Sequence, residues 1–306
     1  MRTFDSIDFL SDTPLVVALG CFDGVHRGHS SVLKTAKDRA DELGIPFCVF
    51  TFEEPPRNFF SPHSIKLLTT KEEKLDLFEK SGADVAVCVP FDKKIIEVEA
   101  EDFVKKILIE NLSATHVVCG YNYTFGKKAL GNTELLRSIC TEHGVGVTVT
   151  DDVTVNGISV SSSVIRAMLA DGNVEGATSL LGRYYSISGS VVNGQHLARS
   201  LGFPTVNIIP NEKQLTPKNG VYLTRICFDG EEKFGITNVG IRPTVNTNIL
   251  CAETHIFDFD GNLYEKSITV EFIRFIRKET KFSSVEGMAT QVKKDIEVAK
   301  AHIKNA

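Results

Sequence analysis

Apolar and polar positions follow two different rhythms along this chain. Up to about residue 150, short uninterrupted apolar runs alternate with longer amphipathic stretches. Leu15-Val-Val-Ala-Leu-Gly20, Phe47-Cys-Val-Phe-Thr-Phe52, 85–89, 115–119 and 145–150 read as strands covered on both faces, because no polar side is left for water. The stretches 29–43, 71–81, 101–111 and 133–143 carry helical periodicity, and Gly44 and Gly82 stand where the first two should stop. Strands alternating with helices in this way predict right-handed crossovers and a parallel sheet with helices on both faces.

Two short helical segments, 162–170 and 174–181, precede a change of pattern at Gly182-Arg-Tyr184. From 184 to 276 the chain shows period two, or short apolar runs broken by Gly, Asn and Pro, as in 185–192, 220–228, 252–257 and 267–272. Asp229-Gly230 and Asp260-Gly261 sit where hairpin turns are expected. Strands without intervening helices predict an antiparallel barrel or sandwich, and 284–304 reads as a single amphipathic helix. Two domains are therefore expected, 1–182 and 183–306.

Composition narrows the function. A chain of 306 residues with 42% apolar and 24% charged residues supplies two ordinary cores. A net charge of −5 provides no basic field, so nucleic acid is not expected as a partner and any phosphate affinity must be local. The cysteines at 21, 48, 88, 119, 140, 227 and 251 stand singly, without a CxxC pair. Reduced, mostly buried thiols are expected rather than disulfides or a zinc site. The first residues lack a basic segment followed by an apolar one, and apolar runs fall well short of the roughly 18 residues a membrane helix needs. The expectation is a cytoplasmic protein without a membrane partner, monomeric or weakly homo-oligomeric.

The densest candidate chemistry is Gly20-Cys-Phe-Asp-Gly-Val-His-Arg-Gly-His29, between the first strand and the first helix. His26 and His29, three residues apart, fall on one face of a starting helix, beside its open N–H groups and positive dipole end. Imidazoles and amides so placed suit a nucleotide triphosphate as charge shifts toward leaving pyrophosphate, and Gly24 and Gly28 let backbone approach a ligand. The serines of Val160-Ser-Ser-Ser163 offer a helix cap or hydroxyls for phosphate.

This segment resembles the HxGH nucleotidyltransferases and, within them, the prokaryotic FAD synthetases, whose signature is GxFDGxHxGH. The likeness continues through Thr51-Phe52, Leu67-Leu-Thr-Thr-Lys-Glu-Glu-Lys74, Phe91-Asp92, Gly120-Tyr-Asn-Tyr-Thr-Phe-Gly126 and Val160-Ser-Ser-Ser-Val-Ile-Arg166. The resemblance implies a Rossmann-like HxGH nucleotidyltransferase domain with a parallel sheet. It implies catalytic roles for His26, His29 and Arg166, and nucleotide or phosphate contacts from Gly20, Phe22, Asp23, Gly24 and Gly28. Asn122 would lie near the nucleotide and flavin phosphates, and Ser161, Ser162 and Ser163 would close over them. The family's Phe-x-Pro-His-Pro is replaced by Phe52-Glu-Glu-Pro-Pro56, and its Arg before Ile-Arg by Val164.

The second cluster is Leu201-Gly-Phe-Pro-Thr-Val-Asn207. Thr205 and Asn207 alternate along a strand and so point to one side, a suitable oxygen pair for Mg²⁺ and its phosphates. With Gly220-Val-Tyr222, Asn238-Val-Gly-Ile-Arg-Pro-Thr244, Glu253-Thr-His255, Leu263-Tyr264 and Ile276-Arg-Lys-Glu-Thr-Lys-Phe282, this cluster resembles the riboflavin kinases from Tyr184 onward. The resemblance implies an antiparallel β-barrel with a terminal helix and places Thr205 and Asn207 on Mg²⁺ with ATP. It implies Gly202, Phe203 and Pro204 at the nucleotide, Glu253 as general base, and Arg277 and Phe282 at the flavin. In the loop before Gly202 this chain has Leu197 and Ala198 where the family has Arg and Gly, with His196 nearby.

Together these features predict an α/β bifunctional enzyme that phosphorylates riboflavin to FMN and adenylylates FMN to FAD. Its partners would be riboflavin, FMN, FAD and ATP. An adenylyltransferase with an impaired kinase half, or a non-catalytic flavin-binding regulatory paralogue, are the alternatives that the replaced residues leave open.

Overall fold

The computed structural model describes all residues except 63, 193–201, 244–247 and 306, and the side chains of 242, 243, 248 and 249 lie outside the description as well. The chain divides into two compact units, 1–162 and 163–306, so the change of pattern at Gly182 falls inside the second.

In the first unit, β1 (Arg2–Phe4) lies at one edge of a sheet that continues through β2 (Leu15–Leu19), β3 (Phe47–Phe52), β4 (Val85–Val89), β5 (Ala114–Gly120) and β6 (Gly146–Thr150). The spatial order is β1-β4-β3-β2-β5-β6, and every pairing is parallel. All five residues of β2 are buried, and they divide by parity. Leu15, Val17 and Leu19 join one core with Phe50, Val87 and Leu108, while Val16 and Ala18 join the other with Phe22, Leu33 and Phe78. Helix α1 (Arg27–Leu43) stops at Gly44, whose φ of 64° is the left-handed cap. Helix α2 (Lys71–Lys80) starts with a capping box in which Thr70 and Glu73 each satisfy the other's backbone N–H. The helix expected at 101–111 begins as Ala100–Asp102 and continues as a π-helix, Phe103–Asn111. After α3 (Thr133–Glu142) and β6, a small hairpin of β7 (Thr154–Val155) and β8 (Ile158–Ser159) leads to α4 (Ser162–Asp171).

In the second unit, α4 and α5 (Val174–Leu181) precede six strands: β9 (Tyr185–Val192), β10 (Val206–Ile208), β11 (Gly220–Phe228), β12 (Glu231–Pro243), β13 (Asn248–Ile256) and β14 (Ser267–Lys278). They close an antiparallel barrel in the order β10-β13-β12-β11-β14-β9, with β9 returning to β10. Inside it, the buried hydroxyls of Thr224, Thr237 and Thr254 form a chain with 2.8 Å between neighbours, so none of the three is stranded. The terminal helix α6 (Val285–Asn305) lays Val292, Ile296, Ala299 and Ile303 on Val221, Leu223, Ile236 and Phe257 of the outer barrel face.

Of the two expected hairpin turns, one forms. Asp229 and Gly230 take φ values of 48° and 80° between the paired strands β11 and β12, as a primed turn requires. Asp260-Gly261 instead lies in the connection 257–266, between β13 and β14, which are not neighbours in the barrel. The same residue pair suits a long loop as well as a hairpin, and here the loop wins because β14 pairs with β11 and β9.

Candidate active sites

The first site grows from the end of β2. Phe22, Gly24 and Val25 take φ values of 50°, 81° and 38°, so the chain doubles back tightly before α1. Gly24 is required twice over: its φ is left-handed, and a Cβ there would lie 2.7 Å from Leu68. Phe22 is fully buried, its ring folded under Gly20, where a Cβ would lie 2.9 Å from Cζ.

Hydrogen bonds fix this turn from three directions. The buried Asp23 carboxylate accepts the N–H groups of Leu68 at 2.9 Å and Thr69 at 3.3 Å, and the Gly24 N–H donates to Thr69 Oγ1 at 3.1 Å. The Thr51 hydroxyl donates to the Cys21 carbonyl at 3.0 Å, and the Ser162 hydroxyl donates to the Asp23 carbonyl at 2.9 Å. Oδ1 of Asp23, a residue expected at phosphate, thus binds backbone amides, and Leu68 and Thr69 gain a role as the clamp on the signature turn.

His26 caps α1: its Nδ1 accepts the His29 N–H at 3.3 Å. A neutral imidazole that accepts at Nδ1 carries its proton on Nε2, leaving that nitrogen as a donor. The two imidazoles stack with 3.6 Å between centroids and 14° between planes, and Phe22 meets the His29 ring edge-on at 5.2 Å. Gly28 leaves the stack unstrained, since a Cβ there would press on the His26 ring at 3.2 Å. The residues read as a pair on a helix face are therefore a cap and its ring partner at the helix N-terminus.

Asn122 lies in the turn after β5, where the Tyr123 N–H donates to the Gly120 carbonyl at 3.1 Å. Tyr123 stacks with Phe125, and burial pushes its phenol far above the ordinary range. Ser161 precedes α4, and Ser163 and Arg166 follow on that helix, Ser163 exposed and Arg166 half-buried. Beyond β3, two rings not singled out in the sequence, Phe59 and Phe60, join Phe52 and Phe91, which the resemblance had included. Phe52, Phe59 and Phe60 surround Phe91 at centroid distances of 4.9, 6.1 and 6.3 Å, with Phe59 and Phe60 exposed. The doublet after Pro55-Pro56 was the available signal.

The second site is built on β10 and β13. Asn207 stands directly opposite Glu253, and the Thr205 hydroxyl donates to Glu253 Oε1 at 2.8 Å. Gly202, at φ 85°, turns the chain into this strand. Pro204 is held by His255 Nδ1, 2.9 Å from its carbonyl, and Phe203 packs edge-on against the same imidazole at 5.7 Å. Beside Thr205 and Asn207 opens a cavity of about 490 Å³, whose far wall is the loop of Phe259, Asp260, Asn262 and Tyr264. The pair misread as a hairpin turn thus helps to line the cavity.

Arg277 and Phe282 are brought together at the end of β14. The Arg277 guanidinium sits 5.7 Å from the Phe282 ring centroid and forks onto Asp295 of α6, with Nε and Nη2 at 2.8 to 3.0 Å. Asp295 is 2% exposed and also accepts from Gln291 at 2.9 Å. Sequence reasoning missed Asp295, although an acid inside the stripe 292, 296, 299 and 303 is a visible anomaly. The Glu279 carboxylate folds over Gly240, where a Cβ would lie 2.4 Å from Oε1. His196, Leu197 and Ala198 lie outside the described residues.

Residues 9–164 match the family model of FAD synthetase, and 181–303 match that of riboflavin kinase. A bifunctional riboflavin kinase/FMN adenylyltransferase from Pseudomonas fluorescens is 36% identical over 287 residues, 94% of this chain and 92% of that one. The chain belongs to this family. Another bifunctional riboflavin kinase/FMN adenylyltransferase, from Escherichia coli K12, is 34% identical over 300 residues, 96% of each chain. Among solved structures, a Streptococcus pneumoniae protein described as a macrolide-efflux protein superimposes with a TM-score of 0.90 at 28% identity, covering 98% of this chain and 99% of that one. Among the described residues no helix is long and apolar enough to cross a membrane.

Proposed function

We propose that the chain makes FAD from riboflavin in two steps, with the kinase in 183–306 and the adenylyltransferase in 1–182. The observation that carries the kinase assignment is the hydrogen bond to Glu253 from Thr205, which lines the cavity together with Asn207. Glu253 accepts the proton of the riboflavin 5′-hydroxyl as that oxygen bonds to the γ-phosphorus of ATP. The γ–β bridging bond breaks, and FMN and ADP leave. Because Thr205 donates to Glu253, its lone pairs are left for a cation, and with Asn207 Oδ1 they form a hard oxygen pair that fits Mg²⁺ better than a softer metal. The ion would neutralise phosphate charge as the bond breaks. Phe203, Pro204 and the loop of Phe259 and Tyr264 enclose the nucleotide. Arg277, held by Asp295, orients Phe282 on the flavin side.

In the first unit, an FMN phosphate oxygen attacks the α-phosphorus of a second ATP and pyrophosphate leaves. The nucleophile is already anionic, so no general base is needed, and positioning with charge stabilisation supplies the catalysis. His26 Nε2–H, His29 and the open N–H groups of α1 meet the phosphates; Asn122, Ser161 and Ser162 complete the binding. Asp23 and Phe22 shape the turn, and the exposed Phe59 and Phe60 offer a stacking surface for the flavin ring.

The test is a time course with riboflavin, ATP and Mg²⁺, with flavins separated by chromatography. FMN should rise first and FAD follow; absence of both refutes the assignment. His29→Ala should stop FAD formation while FMN accumulates, and Glu253→Ala should block FMN formation while supplied FMN still becomes FAD.

A further inference from the structure

The barrel register sets five residues in one row on its outer face. Asn207 of β10 is opposite Glu253 of β13, Glu253 is opposite Asn238 of β12, Asn238 is opposite Val221 of β11, and Val221 is opposite Arg277 of β14. Directly paired residues in antiparallel strands share a face, with about 4.8 Å between strands. Val221 packs beneath α6, so the row runs from the oxygen pair at the cavity to the Arg277–Phe282 end under the terminal helix. From Glu253 to Arg277 is three strand steps, about 14 Å.

On the kinase reading above, on which this inference rests, the reacting hydroxyl lies at Glu253 and the ring system lies toward Phe282. The polyol chain between them must then pass Asn238, the next residue in the row. Asn238 is half-buried, and its side chain makes no hydrogen bond to any described residue. Its amide offers one acceptor and two donors, which match vicinal hydroxyls that each donate and accept. Beyond it, Val221 offers nothing polar. We propose that Asn238 is a substrate-binding residue that reads the secondary hydroxyls of the ribityl chain and so holds the terminal hydroxyl against Glu253.

The test uses the full chain and two acceptors: riboflavin, and a flavin bearing an unbranched hydroxypentyl chain with a terminal hydroxyl only. In the native protein, kcat/KM should favour riboflavin. Asn238→Ala should raise KM for riboflavin about tenfold and cut that preference about tenfold, the effect of one to two lost hydrogen bonds. KM for ATP and FMN adenylylation should stay within about twofold. An unchanged preference, or equal losses on both flavins, overturns the proposal, because a merely structural role does not distinguish the acceptors. Should the alanine variant lose the barrel's native circular dichroism, Asn238→Ser reads the same ratio. A native chain that forms no FMN overturns the kinase reading and this inference with it, and does so before any substitution is made.

Discussion

Thr205 and Glu253, 48 positions apart in the chain, meet through a hydroxyl-to-carboxylate hydrogen bond of 2.8 Å across neighbouring strands. The bond ties the carboxylate to the hydroxyl, so on the reading proposed above both groups act from one geometry. Thr205→Val keeps the shape and removes the donor and the proposed oxygen ligand together. Kinase kcat should fall at least about a hundredfold, the size expected when a charged hydrogen bond and a metal contact are lost. Thr205→Ser should retain most of the activity, and FAD formation from supplied FMN should not change. Steady-state kinetics with each flavin checks this; equal activity of the valine and serine variants would contradict it.

Asp295 anchors the terminal helix to the barrel. Its carboxylate is 2% exposed and takes a forked bond from Arg277. Removing the Asp295 carboxylate loses the charge-assisted fork from the half-buried Arg277, at a cost of about 2 kcal/mol. Asp295→Ala should therefore lower the urea midpoint of the second unit and raise KM for riboflavin through a misplaced Phe282. Asp295→Asn, which keeps one acceptor, should fall between. Unfolding monitored alongside FMN formation tests both effects, and an alanine variant as stable as the native chain would refute the anchor.

How far the sequence could be read depended on whether the signal was local. Strand β2 was legible because Leu15 to Leu19 is apolar throughout, and α1 because Gly44 ends it. Strand β1 was not, since Arg2-Thr3-Phe4 has one apolar residue and is recruited by β4 across 83 positions. The histidine pair could be read from spacing, but not its stacking, which depends on the His26 cap and is left unstrained by the absence of a Cβ at Gly28. The clamp of Asp23 on Leu68 and Thr69, the anchor Asp295 and the row through Asn238 are products of tertiary register. No local pattern encodes which residue a barrel strand places opposite another.

The thiols give a chemical reading of the cores. Burial holds Cys48 at a pKa of about 12, and Cys119 and Cys140 at about 11. The thiolate is the reactive form, so at pH 7.5 these residues should resist disulfide reagents. Of the seven cysteines, Cys21 and Cys227 are the two that are only half-buried. They should react first in the native protein, the other five only on unfolding. Mass spectrometry of alkylated peptides identifies the sites; rapid labelling of Cys48 in the folded chain would show that the β3 core opens without global unfolding.

His116 supplies a pH dependence with a definite sign. Its ring is buried beside Gly146, with Nε2 2.8 Å from Thr148 Oγ1. Burial lowers its pKa, helped by the positive charge of Arg39 and opposed by Glu42. The unfolded chain therefore binds this proton more readily, titrating near 6.5. Stability from the neutral ring is fully present above that value and is lost as pH falls through it toward the lower folded pKa. His116→Gln removes the titration, so its urea midpoint should drop less than that of the native chain between pH 7.5 and 5.0. The comparison cancels the other histidines, which both proteins share. Identical pH profiles would mean that the ring at position 116 is solvated in the folded state.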